Sequence, residues 1–340
     1  MLAVLLPFAL LAADGLLARR LHAQQAPATG SDPALETTLR RIAAAAPGTL
    51  GIRVQHVESG RGAGVHADEW FPLMSAYKLP IAVHVLRAAA RGEIDLDATI
   101  RLTREDRRPG FSPLARTIEQ SGDQTRSGRQ LLSDIIRISD NTASDRLLRL
   151  AGGPAAVLRT LRQLGIDGID VSRYELQFAA DYYGVSLDSM RPFSLERFAA
   201  AVEQVPAAKR RRAAAAFVAD RRDSATPAGF AAVMVRLAKG ELLDARDTRW
   251  LIGEMFEMHT RDTRLRAGLP AGTPAALRPG TSGETDGVRG AHNDSALVTL
   301  PDGTHLVVVA FLKSSKGTDA VRDACLASVA RAAYAWAAAP

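Results

Sequence analysis

The sequence predicts a two-domain α/β fold in which an antiparallel sheet flanked by helices is interrupted along the chain by an all-α domain. Three observations predict it: an alternating apolar strand near residue 52, a long middle dominated by helical spacing, and two apolar strands joined by a tight turn before a final Ala-rich helix. The two ends then share one sheet, and a cleft is expected where the two units meet. The α/β unit is expected over 34–74 and 235–340, and the all-α unit over 75–234. The chain has 340 residues, 47% hydrophobic and 24% charged, which excludes a disordered or collagen-like protein.

The apolar run at the amino terminus, MLAVLLPFALLA, is too short to span a bilayer and suits the core of a signal peptide over 1–23, with cleavage after Ala23 or Ala26. A polar linker, 24–33, leads to helical spacing of Leu35, Leu39 and Ile42, which ends at Pro47-Gly48. Ile52 and Val54 then alternate with Arg53 and Gln55 before a Ser-Gly-Arg-Gly turn, the pattern of a strand. Helices are expected at Ser75–Arg91, Gly128–Ile138, Ala143–Leu150, Pro154–Leu164, Ser194–Val202 and Pro227–Lys239. DSALVTL and THLVVVAFL flank Pro301-Asp302-Gly303 as a hairpin, and Asp319 to Trp336 closes the chain as a helix. No later segment is long and apolar enough to cross a membrane.

Of the 43 Lys and Arg only five are Lys, and the Arg residues are scattered, so the net charge of +6 marks a solvated surface and no nucleic-acid site. Cys325 is the only cysteine, which excludes an internal disulfide and a Cys-based zinc site. The seven histidines, His22 among them, have no ligand spacing, so no metal or other cofactor is expected.

Chemistry enters at Ser75-Ala76-Tyr77-Lys78, where a serine three residues before a lysine shares one face of a helical turn with it. A lysine can accept the serine proton if burial or nearby positive charge lowers its pKa. About 0.3 such pairings are expected by chance, so the motif alone is weak, and its bland alternative is a helix cap with a surface lysine. Ser139-Asp140-Asn141 adds weight, because the chain has only two asparagines and about 0.01 such tripeptides are expected by chance. Ser139 can pass a proton to a leaving group, and the Asn141 amide can both donate to and accept from a substrate amide.

With these motifs, Arg173-Tyr174-Glu175 in a loop, the segment Arg278-Pro279-Gly280-Thr281-Ser282-Gly283, and the block from Asn293-Asp294 to Asp302-Gly303, the sequence resembles the serine penicillin-recognising enzymes, and class A β-lactamases in particular. The resemblance spans about Asp32 to Trp336 and implies the β-lactamase/transpeptidase-like fold, with Ser75, Lys78, Ser139 and Glu175 catalytic. It implies an Ω loop at 173–188, closed by an ion pair of Arg173 with Asp188, with Pro192 also in register, and it implies a monomer. Glu175 would drive deacylation, which separates a β-lactamase from a penicillin-binding transpeptidase. Ala179 stands where many relatives place an asparagine that helps hold the hydrolytic water.

Arg278-Pro279-Gly280 replaces the usual Lys-Thr-Gly. Arg keeps the positive charge, while Pro279 removes a hydroxyl and one N–H that would point into the site, as the N–H of Thr281 does, because strand residues i and i+2 share a direction. The resemblance implies that Asn141, Arg278, Gly280, Thr281, Ser282 and Arg264 bind substrate, with Thr281 and Ser282 replacing the lost hydroxyl and Arg264 at a position where some relatives place a carboxylate-binding arginine; the alternative is a defective carboxylate site. Phe111 is a candidate aromatic wall, or a core residue of its loop. The leading expectation is an exported enzyme, periplasmic or secreted, that opens penicillins and cephalosporins through a Ser75 acyl-enzyme. The alternatives are a penicillin-binding or DD-peptidase-like acyltransferase that hardly hydrolyses, and a silent protein that binds cell-wall fragments.

Overall fold

The computed structural model describes residues 30–188, 190–258 and 262–339. The expected signal peptide at 1–23 and most of the 24–33 linker lie outside the described residues. Strand β1 (Thr49–His56) pairs with β2 (Gly62–Val65) on one side and, across the chain, with β11 (His305–Lys316) on the other. β11 pairs in turn with β10 (Val288–Thr299), and β7 (Ala275–Leu277), β8 (Gly280–Thr281) and β9 (Glu284–Thr285) follow one another along the far edge of β10. All these pairings are antiparallel, so the early strand and the late hairpin share one sheet, as the sequence predicts.

The unbroken apolar run of β11 is explained by burial on both faces. Leu306, Val308, Ala310 and Leu312 join Leu50, Ile52 and Val54 in one core, which is closed by α1 (Pro33–Ala44) and α12 (Asp319–Ala337). The intervening Val307, Val309 and Phe311 face the opposite way, into a larger core shared with the helical unit. α1 starts at Pro33 because Asp32 caps it, accepting from the N–H groups of Ala34 and Leu35, so the linker ends one residue earlier than expected.

The helical unit contains α2 (Lys78–Ala90), α3 (Pro113–Ser121), α4 (Gly128–Ser133), α5 (Asn141–Leu150), α6 (Pro154–Gln163), α7 (Glu175–Tyr183), α8 (Leu195–Gln204) and α9 (Ala207–Ala219). Two short ribbons, β3 (Phe71–Pro72) with β6 (Ser224–Ala225) and β4 (Thr99–Leu102) with β5 (Gln124–Ser127), bind its loops. α10 (Pro227–Ala238) and α11 (Ala245–Phe256) return the chain to the sheet. The expected boundary at 234/235 falls inside α10, a continuous helix that packs on β1 and β11.

Other elements depart from expectation in informative ways. Ser75 does not start an α-helix but sits in a 3-10 turn, Met74–Tyr77, just before α2. The helix expected over Gly128–Ile138 becomes α4 followed by a wider π-turn over Asp134–Ile138 that ends at Ser139 in a left-handed conformation.

Phe311 joins the layers: its ring centroid lies 5.3 Å from that of Phe230 on α10 and 6.4 Å from that of Phe71 on β3. Replacing this fully buried ring by alanine is expected to cost about 3–5 kcal/mol. Denaturant unfolding of Phe311→Ala checks this, and a loss below about 1 kcal/mol would contradict the packing described.

Candidate active site

The mouth of a cleft of about 380 Å³ between the two units is lined by Ser75, Phe111, Ile138, Ser139, Pro279, Gly280 and Thr281. Its floor is the amine of Lys78, which no solvent reaches. Nζ lies 2.7 Å from the Ser139 carbonyl, 2.6 Å from Asn141 Oδ1, 3.3 Å from Ser139 Oγ, 3.3 Å from Glu175 Oε1 and 3.5 Å from Ser75 Oγ. Four residues from three stretches of chain thus converge on one nitrogen. Burial, with help from the nearby Arg278 cation, lowers the Lys78 pKa, and Glu175 opposes this. Burial likewise raises the Glu175 carboxyl above its ordinary value, against the pull of Lys78.

Local structure explains the convergence. Asp140 caps α5 by accepting from the Ala143 N–H, which leaves Asn141 at the first turn with its amide nitrogen on the Pro109 carbonyl and its oxygen on Lys78. Glu175 opens α7, and its N–H donates to Asp145 Oδ1 at 2.6 Å, while the other oxygen of Asp145 accepts from Arg108 Nε at 2.5 Å. Tyr77 is buried beside the site, its hydroxyl 3.0 Å from Ser144 Oγ and also hydrogen-bonded to the Glu175 carboxylate.

The opposite wall is β8. The N–H groups of Arg278 and Ser282 donate to the Ser295 and Ala291 carbonyls of β10. By strand alternation the N–H of Thr281 turns toward the cleft, and position 279 would turn the same way, so Pro279 costs no ladder bond. Gly280 permits the wall to press on the turn carrying Ser75: a Cβ there would lie 2.2 Å from the Leu73 carbonyl oxygen and 3.1 Å from the Ala76 nitrogen. Thr281 Oγ1 accepts from Arg264 Nη2 at 2.8 Å, which leaves the hydroxyl hydrogen to donate elsewhere.

Arg278 lies beneath the cleft. It is fully buried, and its guanidinium donates to the carbonyls of Ser75, Ile135 and Ile136 and to Ser139 Oγ, at 3.0–3.1 Å. Burial brings its pKa down to about 10. It therefore locks the Ser75 turn to the π-turn that presents Ser139.

Arg173 is buried and closes its loop onto Asp223: Nε donates to Oδ2 at 2.5 Å, while the backbone N–H groups of Ser172 and Arg173 donate to Oδ1 at 2.8 and 3.1 Å. Its Nη1 also reaches Asp181 at 2.7 Å and Asp220 at 3.5 Å. The span between the ends of this clasp carries α7, α8 and α9.

A family model described as "Beta-lactamase enzyme family" matches residues 34–337. The chain belongs to the β-lactamase enzyme family. It is 28% identical to the extended-spectrum β-lactamase PER-1 of Pseudomonas aeruginosa over 90% of this chain and 88% of that protein. Among solved structures, it superposes on a β-lactamase from Chitinophaga pinensis DSM 2588 with a TM-score of 0.73 and 26% identity, covering 89% of this chain and 99% of that one. An ancestral class A β-lactamase gives a TM-score of 0.70 at 28% identity, over 88% and 98% of the two chains. The chain is a class A serine β-lactamase.

In this β-lactamase Ser75, Lys78, Ser139, Asn141 and Glu175 come together as the motifs predict, and Phe111, 52% exposed, stands at the cleft mouth and not in the loop core. Four expectations are corrected. Asp188 does not close the loop: it is exposed, accepts from Ser186 Oγ, and Asp223 takes its place, so the loop runs far past 188. Arg278 faces protein acceptors and not the cleft, because a guanidinium at this depth must be satisfied internally. The Ser282 hydroxyl turns away, donating to the Gly283 carbonyl and accepting from the Ala291 N–H. Arg264 donates to the Thr281 hydroxyl at the cleft edge and, away from it, to the Asn293 carbonyl and to Asp323, with His292 Nδ1 at 3.5 Å, so it meets the cleft through Thr281. Ala179 lies within α7, packed with an apolar cluster that includes Met190 and Phe198, and brings no polar group to the site.

Asp145, Arg108 and Asp223 were not singled out from the sequence. Removing Asp223 leaves the Arg173 cation buried without its closest partner, so Asp223→Ala is expected to cost about 3–5 kcal/mol. Asp188→Ala should stay within about 0.5 kcal/mol of the parent. Equal losses in the two variants, measured by urea unfolding, would contradict the clasp.

Proposed function

We propose that this β-lactamase hydrolyses penicillins and cephalosporins through an acyl-enzyme on Ser75, deacylated by a water that Glu175 activates. The observation that carries this reading is the buried Lys78 amine, within 3.5 Å of Ser75 Oγ and 3.3 Å of both Ser139 Oγ and Glu175 Oε1. One proton can pass among these groups without leaving the site.

In this reading Ser75 Oγ attacks the lactam carbonyl carbon and its proton goes to the Lys78–Glu175 pair. The N–H groups of Ser75, at the first turn before α2, and of Thr281 hold the oxyanion. Ser139 Oγ accepts from both Lys78 and Arg278, so its own hydrogen is left to donate to the departing lactam nitrogen. That transfer completes cleavage of the carbon–nitrogen bond, and Ser139 is reprotonated from Lys78. Glu175 then takes a proton from water as the hydroxyl attacks the ester, and Ser75 leaves with that proton restored. The substrate carboxylate is bound by the Thr281 hydroxyl, polarised by Arg264. The altered strand motif is accommodated because Arg278 supplies a cation to Ser139, while Thr281 replaces the hydroxyl absent at Pro279. The apolar run at the start of the sequence supports export to the periplasm or the medium.

Mixing the purified protein with a large excess of a chromogenic cephalosporin tests the reading: sustained turnover beyond one equivalent is expected, and a burst of one equivalent would assign a penicillin-binding acyltransferase instead. Glu175→Ala is expected to accumulate a covalent adduct on Ser75, seen by intact-protein mass spectrometry. Turnover of that variant at the parent rate would remove Glu175 from the role of base.

A further inference from the structure

We propose that α9, carried inside the loop that Arg173 and Asp223 close, is a brace that positions Glu175, with Phe217 as the positioning residue. This rests on the reading of Glu175 as the deacylation base. α9 is an Ala-rich helix whose sequence, AAKRRRAAAAFVA, forms a helix readily but offers almost nothing to bury. Phe217 is its one fully buried side chain. The ring meets Phe178 of α7 edge-on at 4.7 Å between centroids and Tyr182 of α7 at 5.5 Å. The Arg173 guanidinium carbon lies 4.9 Å from the same ring, two residues before Glu175.

The contacts lead from there to the reacting groups. Phe178 stacks on Tyr77 at 6.0 Å, next to Lys78, and Met74, next to Ser75, packs against the same aromatic cluster. On its other side α9 is fixed to the sheet. Arg211 pairs with Asp286 at 2.7 Å in the turn between β9 and β10. Gly290 lets Val218 come close, since a Cβ there would lie 3.2 Å from Val218 Cγ2. Asp220, just past the helix, reaches Arg173. The brace thus connects the sheet edge to the helix that begins with Glu175. Lys78, by contrast, is held by the Ser139 carbonyl and Asn141, whereas the main packing of α9 is on α7, β3, β9 and β10. Loosening α9 should therefore disturb the Glu175 carboxylate more than the Lys78 amine.

Phe217→Ala and Phe217→Leu in the full chain test this. For each, single-turnover kinetics with a chromogenic cephalosporin and intact-mass analysis separate acylation from deacylation, and hydrogen exchange reports protection of residues 175–183. Phe217→Ala is expected to slow deacylation about tenfold or more, since small misplacements of a catalytic group are costly, and to change acylation less than about threefold, so acyl-enzyme accumulates. Exchange should quicken in α7 while α2 and α5 keep their protection, and leucine should restore most of the deacylation rate. Parent-like deacylation in Phe217→Ala, or equal slowing of both steps with a general loss of protection, would overturn the proposal. Should the alanine variant fail to fold, Asp220→Asn is read instead, with the same selective slowing expected and an unchanged deacylation rate overturning it. If the parent forms no acyl-enzyme, the reading of Glu175 fails; exchange in α7 still decides whether Phe217 holds that helix, and unchanged protection there overturns the brace.

Discussion

A buried amine has to find acceptors, and the site is organised around that requirement. Lys78 has no contact with solvent and is surrounded by the Ser139 carbonyl, the Asn141 amide oxygen, the Ser75 and Ser139 hydroxyls and the Glu175 carboxylate. An ammonium has three hydrogens for these five oxygens, so at least two acceptors go without a direct bond at any moment, and the proton can redistribute at low cost. Burial disfavours the charge on Lys78 and on Glu175 alike, and each opposes the shift of the other. In the proposed mechanism the pair acts as one proton store.

Every larger element acts on that nitrogen. The sheet presents β8 against the Ser75 turn, and the absence of a side chain at Gly280 allows the approach. Arg278 ties the Ser75 turn to the π-turn from below and gives Ser139 a second cation. The helical unit supplies α5 for Asn141 and α7 for Glu175, and Asp145 fixes the start of α7 by accepting its first N–H. A lysine at position 278 has three donors in one cluster; the guanidinium reaches four acceptors spread over Ser75, Ile135, Ile136 and Ser139. Arg278 of the Arg-Pro-Gly segment thus keeps a cation here and spreads it over four acceptors.

Much of this was legible in the sequence. β1, β10 and β11 are strongly patterned, and the Ser-x-x-Lys and Ser-Asp-Asn motifs place their chemistry by short-range helix geometry that local sequence determines. What was not legible depends on long-range closure. Arg173 has carboxylates at Asp181, Asp188, Asp220 and Asp223 within reach along the chain, and the resemblance points to Asp188; only packing selects Asp223, which draws two backbone N–H groups as well. α7 reads as part of a loop because its apolar spacing serves two clusters and not one face, and α9 leaves little trace in the sequence because a run of Ala and Arg carries almost no periodicity. The resemblance places Arg278 and Ser282 on the substrate because a motif gives the register of a strand residue but not the depth to which its side chain is buried.

The central claim is that Glu175 shares its proton with a buried lysine while it serves as the base for deacylation. The most direct test is the pH dependence of the deacylation rate constant, measured on preformed acyl-enzyme in single-turnover experiments. Glu175 must be ionised to take the proton of water, and burial raises its pKa, so the rate should fall with decreasing pH at values above the ordinary carboxylate range. An acid limb at or below the ordinary glutamate pKa of about 4.3, or a rate independent of pH, would contradict the account.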